Sequence, residues 1–90
     1  MAQTTKVTFY GLSTCPYCRK AKEFMDAKGV KYDLTYVDQL DGEEKDAVVR
    51  KVAELNPRLS FPTIVIGEGA DQTIFVGLDG AAERALEDVL

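Results

Sequence analysis

The stretch Lys6–Phe24 reads KVTFYGLSTCPYCRKAKEF and holds both cysteines of the 90-residue chain, Cys15 and Cys18. Its first part, Lys6–Gly11, has the β-branched and aromatic content of a short buried strand. From Pro16 the period changes. Cys18, Ala21, Phe24 and Met25 recur at three- and four-residue spacing, the stripe of a helix that buries one face. Proline suits the first helical position, where its missing N–H costs nothing, and Gly29 after Lys28 is a helix stop. The cysteines therefore fall where a strand turns into a helix.

Reading outward, Lys31–Val37 alternates well enough for a second strand. Asp41 followed by Glu44 has the spacing of an acidic capping box, opening a helix with Val48, Val52 and Leu55 as its buried stripe. Asn56–Pro57 ends that helix, because the residue before proline avoids the α region. Pro62–Ile66 (PTIVI) is the most apolar run and reads as a central strand. Thr73–Gly77 is a last strand, and a helix from about Gly80 to Val89, capped by Asp79, buries Ala82, Leu86 and Val89. The order is βαβ, then α, then ββα. A crossover helix makes the first two strands parallel, and a tight turn makes the last two an antiparallel hairpin. The expectation is a single α/β domain: one mixed four-stranded sheet flanked by three helices, with helices on both faces.

Composition narrows the function. At 46% hydrophobic and 29% charged, the chain reads as an ordinary soluble globular protein. No apolar run approaches the roughly 20 residues needed to span a bilayer. The start, MAQTTKV, lacks a basic flank followed by an apolar stretch, which points away from a secretory signal and towards the cytoplasm. Net charge is −4, split as +4 over residues 1–31 and −8 over residues 32–90. The positive excess accompanies the cysteines, but no basic face or recognition motif supports nucleic-acid binding.

Two cysteines two residues apart admit three uses. A structural disulfide here would close a tiny loop and remove little unfolded-state entropy. A zinc site needs about four ligands, and the chain has two cysteines and no histidine. Two chains sharing a metal or cluster would be needed. Thiol–disulfide exchange fits the local chemistry better. Cys15 falls at the helix start, where unsatisfied N–H groups and the positive dipole end favour an anion, and Arg19, Lys20 and Lys22 add positive charge. Such settings lower a thiol pKa into the range of about 3.5–7.5. Cys18 points inward one turn later, placed to attack a mixed disulfide formed on Cys15. The assignment is that Cys15 attacks and Cys18 resolves.

CPYC at residues 15–18, after the strand VTFYG and before a helix, resembles the dithiol active site of the glutaredoxins. The resemblance runs from Lys6 to about Leu86 and includes FPT at Phe61–Thr63 and VGLD at Val76–Asp79. It implies a thioredoxin-like fold and a cis Phe61–Pro62 bond lying against the cysteines. It also implies that the Phe61 backbone pairs with an extended, cysteine-containing substrate. Tyr17, Phe61, Pro62, Gly77, Leu78 and Asp79 are then the substrate-binding candidates, supported by Pro16 and Arg19. Asp79 has a second reading as a helix cap. Two features depart from glutathione-using members. Leu12 stands where many have a lysine that pairs with a glutathione carboxylate, and Gly77 and Asp79 stand where they have a double glycine and paired acids. In this the chain also resembles glutaredoxin-like proteins reduced by a thioredoxin-reductase-type enzyme, for which Asn56–Gly67 is a close match. Arg58 reads either as a carboxylate receiver or as a solvated loop residue, and the acidic run Asp38–Asp46 as a solvated helix start.

The expected activity is reduction of protein disulfides, glutathione mixed disulfides, or both. Glutathione or a reductase restores the dithiol, with no bound cofactor or metal, and the chain acts as a monomer. The competing reading is a dimer that holds an iron–sulfur cluster through Cys15.

Overall fold

The structure is a computed structural model, and it describes residues 5–69, 72–77 and 79–89. Strand β1 (Val7–Gly11) leads into helix α1 (Pro16–Lys28), strand β2 (Asp33–Tyr36), a single 3-10 turn (Val37–Gln39) and helix α2 (Gly42–Leu55). Strands β3 (Thr63–Ile66) and β4 (Thr73–Val76) then precede helix α3 (Gly80–Asp88). The strands form one sheet in the order β2-β1-β3-β4. β1 and β2 are parallel, with Phe9 opposite Leu34, while β1 with β3 and β3 with β4 are antiparallel. The mixed sheet read from the βαβ–α–ββα order is therefore present.

Alternation along the central strands decides which helix covers which face. Val7 and Phe9 of β1 and Ile64 and Ile66 of β3 pack with Cys18, Ala21 and Met25 of α1 and Leu86 of α3. Tyr10 and Val65, on the opposite face, pack with Val52 of α2. α1 and α3 thus share one face and α2 holds the other. All four residues of β3 are buried, in keeping with its apolar run Ile64–Ile66, and the Thr63 hydroxyl is satisfied by the Ser60 carbonyl. Burying a Phe, Ile or Leu side chain is worth about 1.5–3 kcal/mol, so this two-sided core is what fixes α1 over the end of β1. Lys28 also reaches Glu87, tying the end of α1 to α3 at 3.5 Å. Among the described residues no helix is long and apolar enough to cross a membrane.

Three local expectations need correction. The second strand stops at Tyr36, and Val37 turns inward to start the 3-10 turn, closed by the Leu40 N–H on the Val37 carbonyl at 3.2 Å. The expected capping box at Asp41 does not form. The chain enters α2 through Gly42 at φ 56°, and Asp41 contributes its carbonyl to the Lys45 N–H rather than its carboxylate. Finally, α3 ends at Asp88, leaving Val89 half-buried against the core. Asp79 caps α3 as expected, its carboxylate accepting from the Ala82 N–H at 2.9 Å.

Candidate active site

The site is built on the end of β1. Gly11 there passes under Cys18: a Cβ on Gly11 would lie 3.3 Å from Cys18 Sγ. The chain turns through Leu12–Thr14, and the turn is closed by the Cys15 N–H on the Leu12 carbonyl at 3.1 Å. Cys15 takes the N-cap position of α1 in an extended conformation, with Pro16 at the first helical position. Both thiols are free. Cys15 is half-buried and Cys18 is buried.

One turn of helix gives the two sulfurs opposite acidities. The Cys15 sulfur makes no full capping hydrogen bond. The peptide N–H of Cys18 nonetheless draws its thiol pKa below the usual value; desolvation opposes it, and the Cys18 thiol and the Tyr17 N–H add smaller downward contributions. These are the orphan donors of a helix start acting on an anion. Burial pushes the Cys18 thiol the other way, up to about 11. The negative Cys15 sulfur and, more weakly, the Asp38 carboxylate push it further in the same direction. One donor opposes them: the Leu12 N–H meets Cys18 Sγ at 3.4 Å. Local peptide groups, not basic side chains, thus set the acidity of Cys15. Lys22 is engaged by Asp26 at 2.7 Å, a carboxylate that also receives the Tyr32 hydroxyl, and Arg19 is exposed.

The second wall comes from the other end of the sheet. The Phe61–Pro62 bond is cis, and Phe61 and Cys15 pack on the same buried cluster that holds Cys18. Phe61 and Pro62 line a groove of about 660 Å³ together with Tyr17, Phe24, Val76 and Gly77. Gly77 is in the left-handed region at φ 82°, which suits glycine. Its N–H donates to the Pro62 carbonyl at 2.8 Å, joining the β4–α3 connection to this wall. The structure thus brings Tyr17, Phe61, Pro62 and Gly77 together. Asp79 is at the α3 N-cap, and Leu78 lies outside the described residues. Arg58 is exposed, as its solvated reading requires.

Two organising residues carried no local signal. Buried Asn56 is a hub: its amide donates to the Ser60 carbonyl, Ser60 Oγ and Thr63 Oγ1, and its oxygen accepts from the Arg58 N–H. It shapes the turn that delivers Phe61, and only its neighbour proline marked it in the sequence. Asp38 accepts from both the N–H and the hydroxyl of Ser13, latching the turn before Cys15 to the end of β2. The two residues are 25 positions apart, so no local pattern could link them. Of the charged groove residues, Glu23 and Glu83 belong to no sequence motif, and Lys20, expected to act on Cys15, lines the groove.

Among the described residues no group of three or more acidic or cysteine side chains could hold a metal ion. An iron–sulfur cluster takes about four thiolates, and one chain presents a single half-exposed thiol, Cys15. One chain alone therefore does not complete such a site, and the dimer reading draws its remaining ligands from a second chain.

Comparison with known proteins decides the family. The sequence model of glutaredoxin matches residues 7–69. The chain belongs to the glutaredoxin family. It is 34% identical to glutaredoxin 1 of Rickettsia typhi over 83 residues, covering 90% of this chain and 79% of that one. The solved glutaredoxin of Methanosarcina mazei is 40% identical, with a TM-score of 0.78 over 90% of this chain and 77% of its own. Methanoredoxin of Methanosarcina acetivorans is 36% identical, with a TM-score of 0.79 over 90% and 82%. The architecture is accordingly thioredoxin-like, and the chain is a glutaredoxin-type thiol–disulfide oxidoreductase. Glutaredoxins as a class act on disulfide or glutathionylated substrates with glutathione.

Proposed function

We propose that this glutaredoxin reduces protein disulfides and glutathione mixed disulfides through a cycle carried by Cys15 and Cys18. The observation that supports it is the opposite shift of two thiols one helical turn apart. The Cys15 thiolate attacks one sulfur of the substrate disulfide. The other sulfur leaves as a thiolate and takes a proton from solvent. Cys18 then loses its proton, attacks the Cys15 sulfur and releases the second substrate thiol. Two electrons pass to the substrate, and the protein is left with a Cys15–Cys18 disulfide.

The order of events is built into the acidities. While Cys15 is a thiolate, its charge and its hydrogen bond help keep Cys18 protonated. Forming the mixed disulfide removes that charge, so both contributions lapse and Cys18 ionises more readily. The Leu12 N–H remains in place to hold the developing Cys18 thiolate. The resolving thiol is thereby activated by the first step.

In this reading Tyr17, Phe61, Pro62 and Gly77 flank the substrate sulfur, Leu78 and Asp79 are further substrate-binding residues, and Pro16 and Arg19 support the site. Glutathione or a thioredoxin-reductase-type enzyme restores the dithiol in the cytoplasm, and the chain works as a monomer with no bound cofactor. The test is the rate of glutathione removal from a glutathionylated peptide, and of insulin disulfide reduction, by wild type, Cys15→Ser and Cys18→Ser. Cys15→Ser should lose both activities, and Cys18→Ser only the second, with free glutathione resolving its intermediate. Substantial turnover by Cys15→Ser overturns the assignment. Disulfide reduction without glutathione removal would leave a protein reductase as the electron source.

A further inference from the structure

The groove beside the cysteines is larger and more charged than a small disulfide requires. Three large apolar side chains are left exposed among the described residues: Tyr17, Val76 and Leu59. Tyr17 (69% exposed) and Val76 (48%) line this groove, and Leu59 sits on the Asn56–Ser60 turn that leads to its wall. Apolar exposure gathered at one place marks an interaction surface. Its floor is Phe24, Phe61 and Pro62, and Val76 belongs to β4, one of the two edge strands of the sheet.

The charges on the rim have one sign in excess. Glu23 of α1 and Glu83 of α3 face a single cation, Lys20. Among the described residues neither carboxylate has an ion-pair partner within 4.0 Å. Two other lysines of α1 are ion-paired, Lys22 with Asp26 and Lys28 with Glu87, and Lys28 also lies over the Phe24 ring at 5.8 Å. The two carboxylates and one ammonium leave the groove lining with a net negative charge. An occupant that satisfies it must cover an apolar floor and bring a cation.

We propose that the groove binds an extended segment of a substrate protein in which an apolar side chain and a lysine or arginine lie beside the disulfide cysteine. Glu23 and Glu83 are the specificity-determining residues. The proposal rests on the Cys15 attack described above and names the substrates that attack prefers. Apolar area supplies contact, and charge complementarity supplies selection and on-rate.

The test uses single-cysteine peptides carried as mixed disulfides with 5-thio-2-nitrobenzoate. Attack by the Cys15 thiolate on the peptide sulfur forms the Cys15–peptide disulfide and expels the coloured thiolate, which is followed by absorbance. Three peptides differ only beside the cysteine: Leu with Lys, Leu with Glu, and Ser with Lys. At low ionic strength the Leu/Lys peptide should react faster than the Leu/Glu peptide, by up to about fivefold for each carboxylate engaged. The advantage should shrink as salt is raised, and the Ser/Lys peptide should be slower than Leu/Lys. Glu23→Gln with Glu83→Gln should bring the Lys-to-Glu ratio close to one, and Glu23→Lys with Glu83→Lys should invert it. A ratio is unaffected by a general loss of activity in a variant.

A wild-type ratio near one, or a ratio unmoved by the double substitutions, overturns the proposal. So does a preference that vanishes as the protein is concentrated into a dimer, because a second copy is then the occupant. Failure of the underlying cycle looks different: wild type would release no chromophore from any peptide, or Cys15→Ser would release it as fast.

Discussion

Gly11→Ala tests whether the end of β1 sets the position of the resolving thiol. The added Cβ would stand 2.6 Å from Phe9 Cε1, 3.3 Å from Cys18 Sγ and 3.4 Å from Cys18 Cβ. An ordinary carbon–carbon contact is about 3.5 Å or more, so the Phe9 ring must retreat by about 0.9 Å. It has little room, being fully buried, packed within the cluster of Met25 and Ile64, and tilted against the Tyr32 ring at 6.0 Å. Overpacking of this kind costs about 1–3 kcal/mol. In a domain of this size each kcal/mol lowers Tm by about 4–8 °C, so a fall of roughly 5–20 °C is expected. The shift also displaces Cys18 from the Leu12 N–H, so disulfide reduction should slow more than glutathione removal. Thermal unfolding followed by circular dichroism, with both activity assays beside it, reads both effects. Phe9→Leu deletes the clashing atom, so adding Gly11→Ala to that variant should cost far less than adding it to wild type. A Tm within about 2 °C of wild type, or costs that simply add, would refute the steric argument.

The two organising residues make separable predictions. Asn56→Ala strips the hub of its four hydrogen bonds and leaves buried partners such as Thr63 Oγ1 with fewer contacts; a loss of about 1–3 kcal/mol is expected in denaturant unfolding. With the Phe61 turn loosened, KM for peptide disulfides should rise more than kcat falls. Asp38 is held below the ordinary aspartate value of 3.8, first by the Ser13 hydroxyl and then by the Ser13 N–H. A depressed carboxylate stabilises the fold above its unfolded pKa and loses that contribution as pH falls through its folded pKa. The Tm difference between wild type and Asp38→Asn should therefore be present at neutral pH and disappear on acidification below 3.8. A difference that grows with acid would contradict the latch.

The fold was legible because its signals are local. The switch from KVTFYG to the Cys18–Met25 stripe marks β1 and α1, and the most apolar run, Pro62–Ile66, marks the buried strand of the sheet. Asp79 announced its cap because an N-cap acts within three residues. Elements whose ends depend on distant partners were less legible. The stop at Tyr36 depends on Val37 turning inward, and the failed box at Asp41 depends on the path through Gly42. Within the site, the order of the two cysteines followed from their place on the helix. The cause of the low Cys15 pKa did not: the Cys18 and Tyr17 peptide groups lower it, and Lys22, close in sequence, is spent on Asp26. Asp38 and the groove carboxylates act only once the chain has closed, across separations that no periodicity records, while Asn56 bonds within seven residues in an irregular turn that no periodicity describes.

The central claim is that burial and helix-start N–H groups divide the two thiols into an attacker and a resolver. The direct measurement is the pH dependence of alkylation in the fully reduced protein, with each cysteine quantified separately by peptide mass. Cys15 should react with a midpoint below the ordinary thiol value of 9.0, while Cys18 should remain protected until the pH approaches about 11. A common midpoint for both, or a lower one for Cys18, would contradict it.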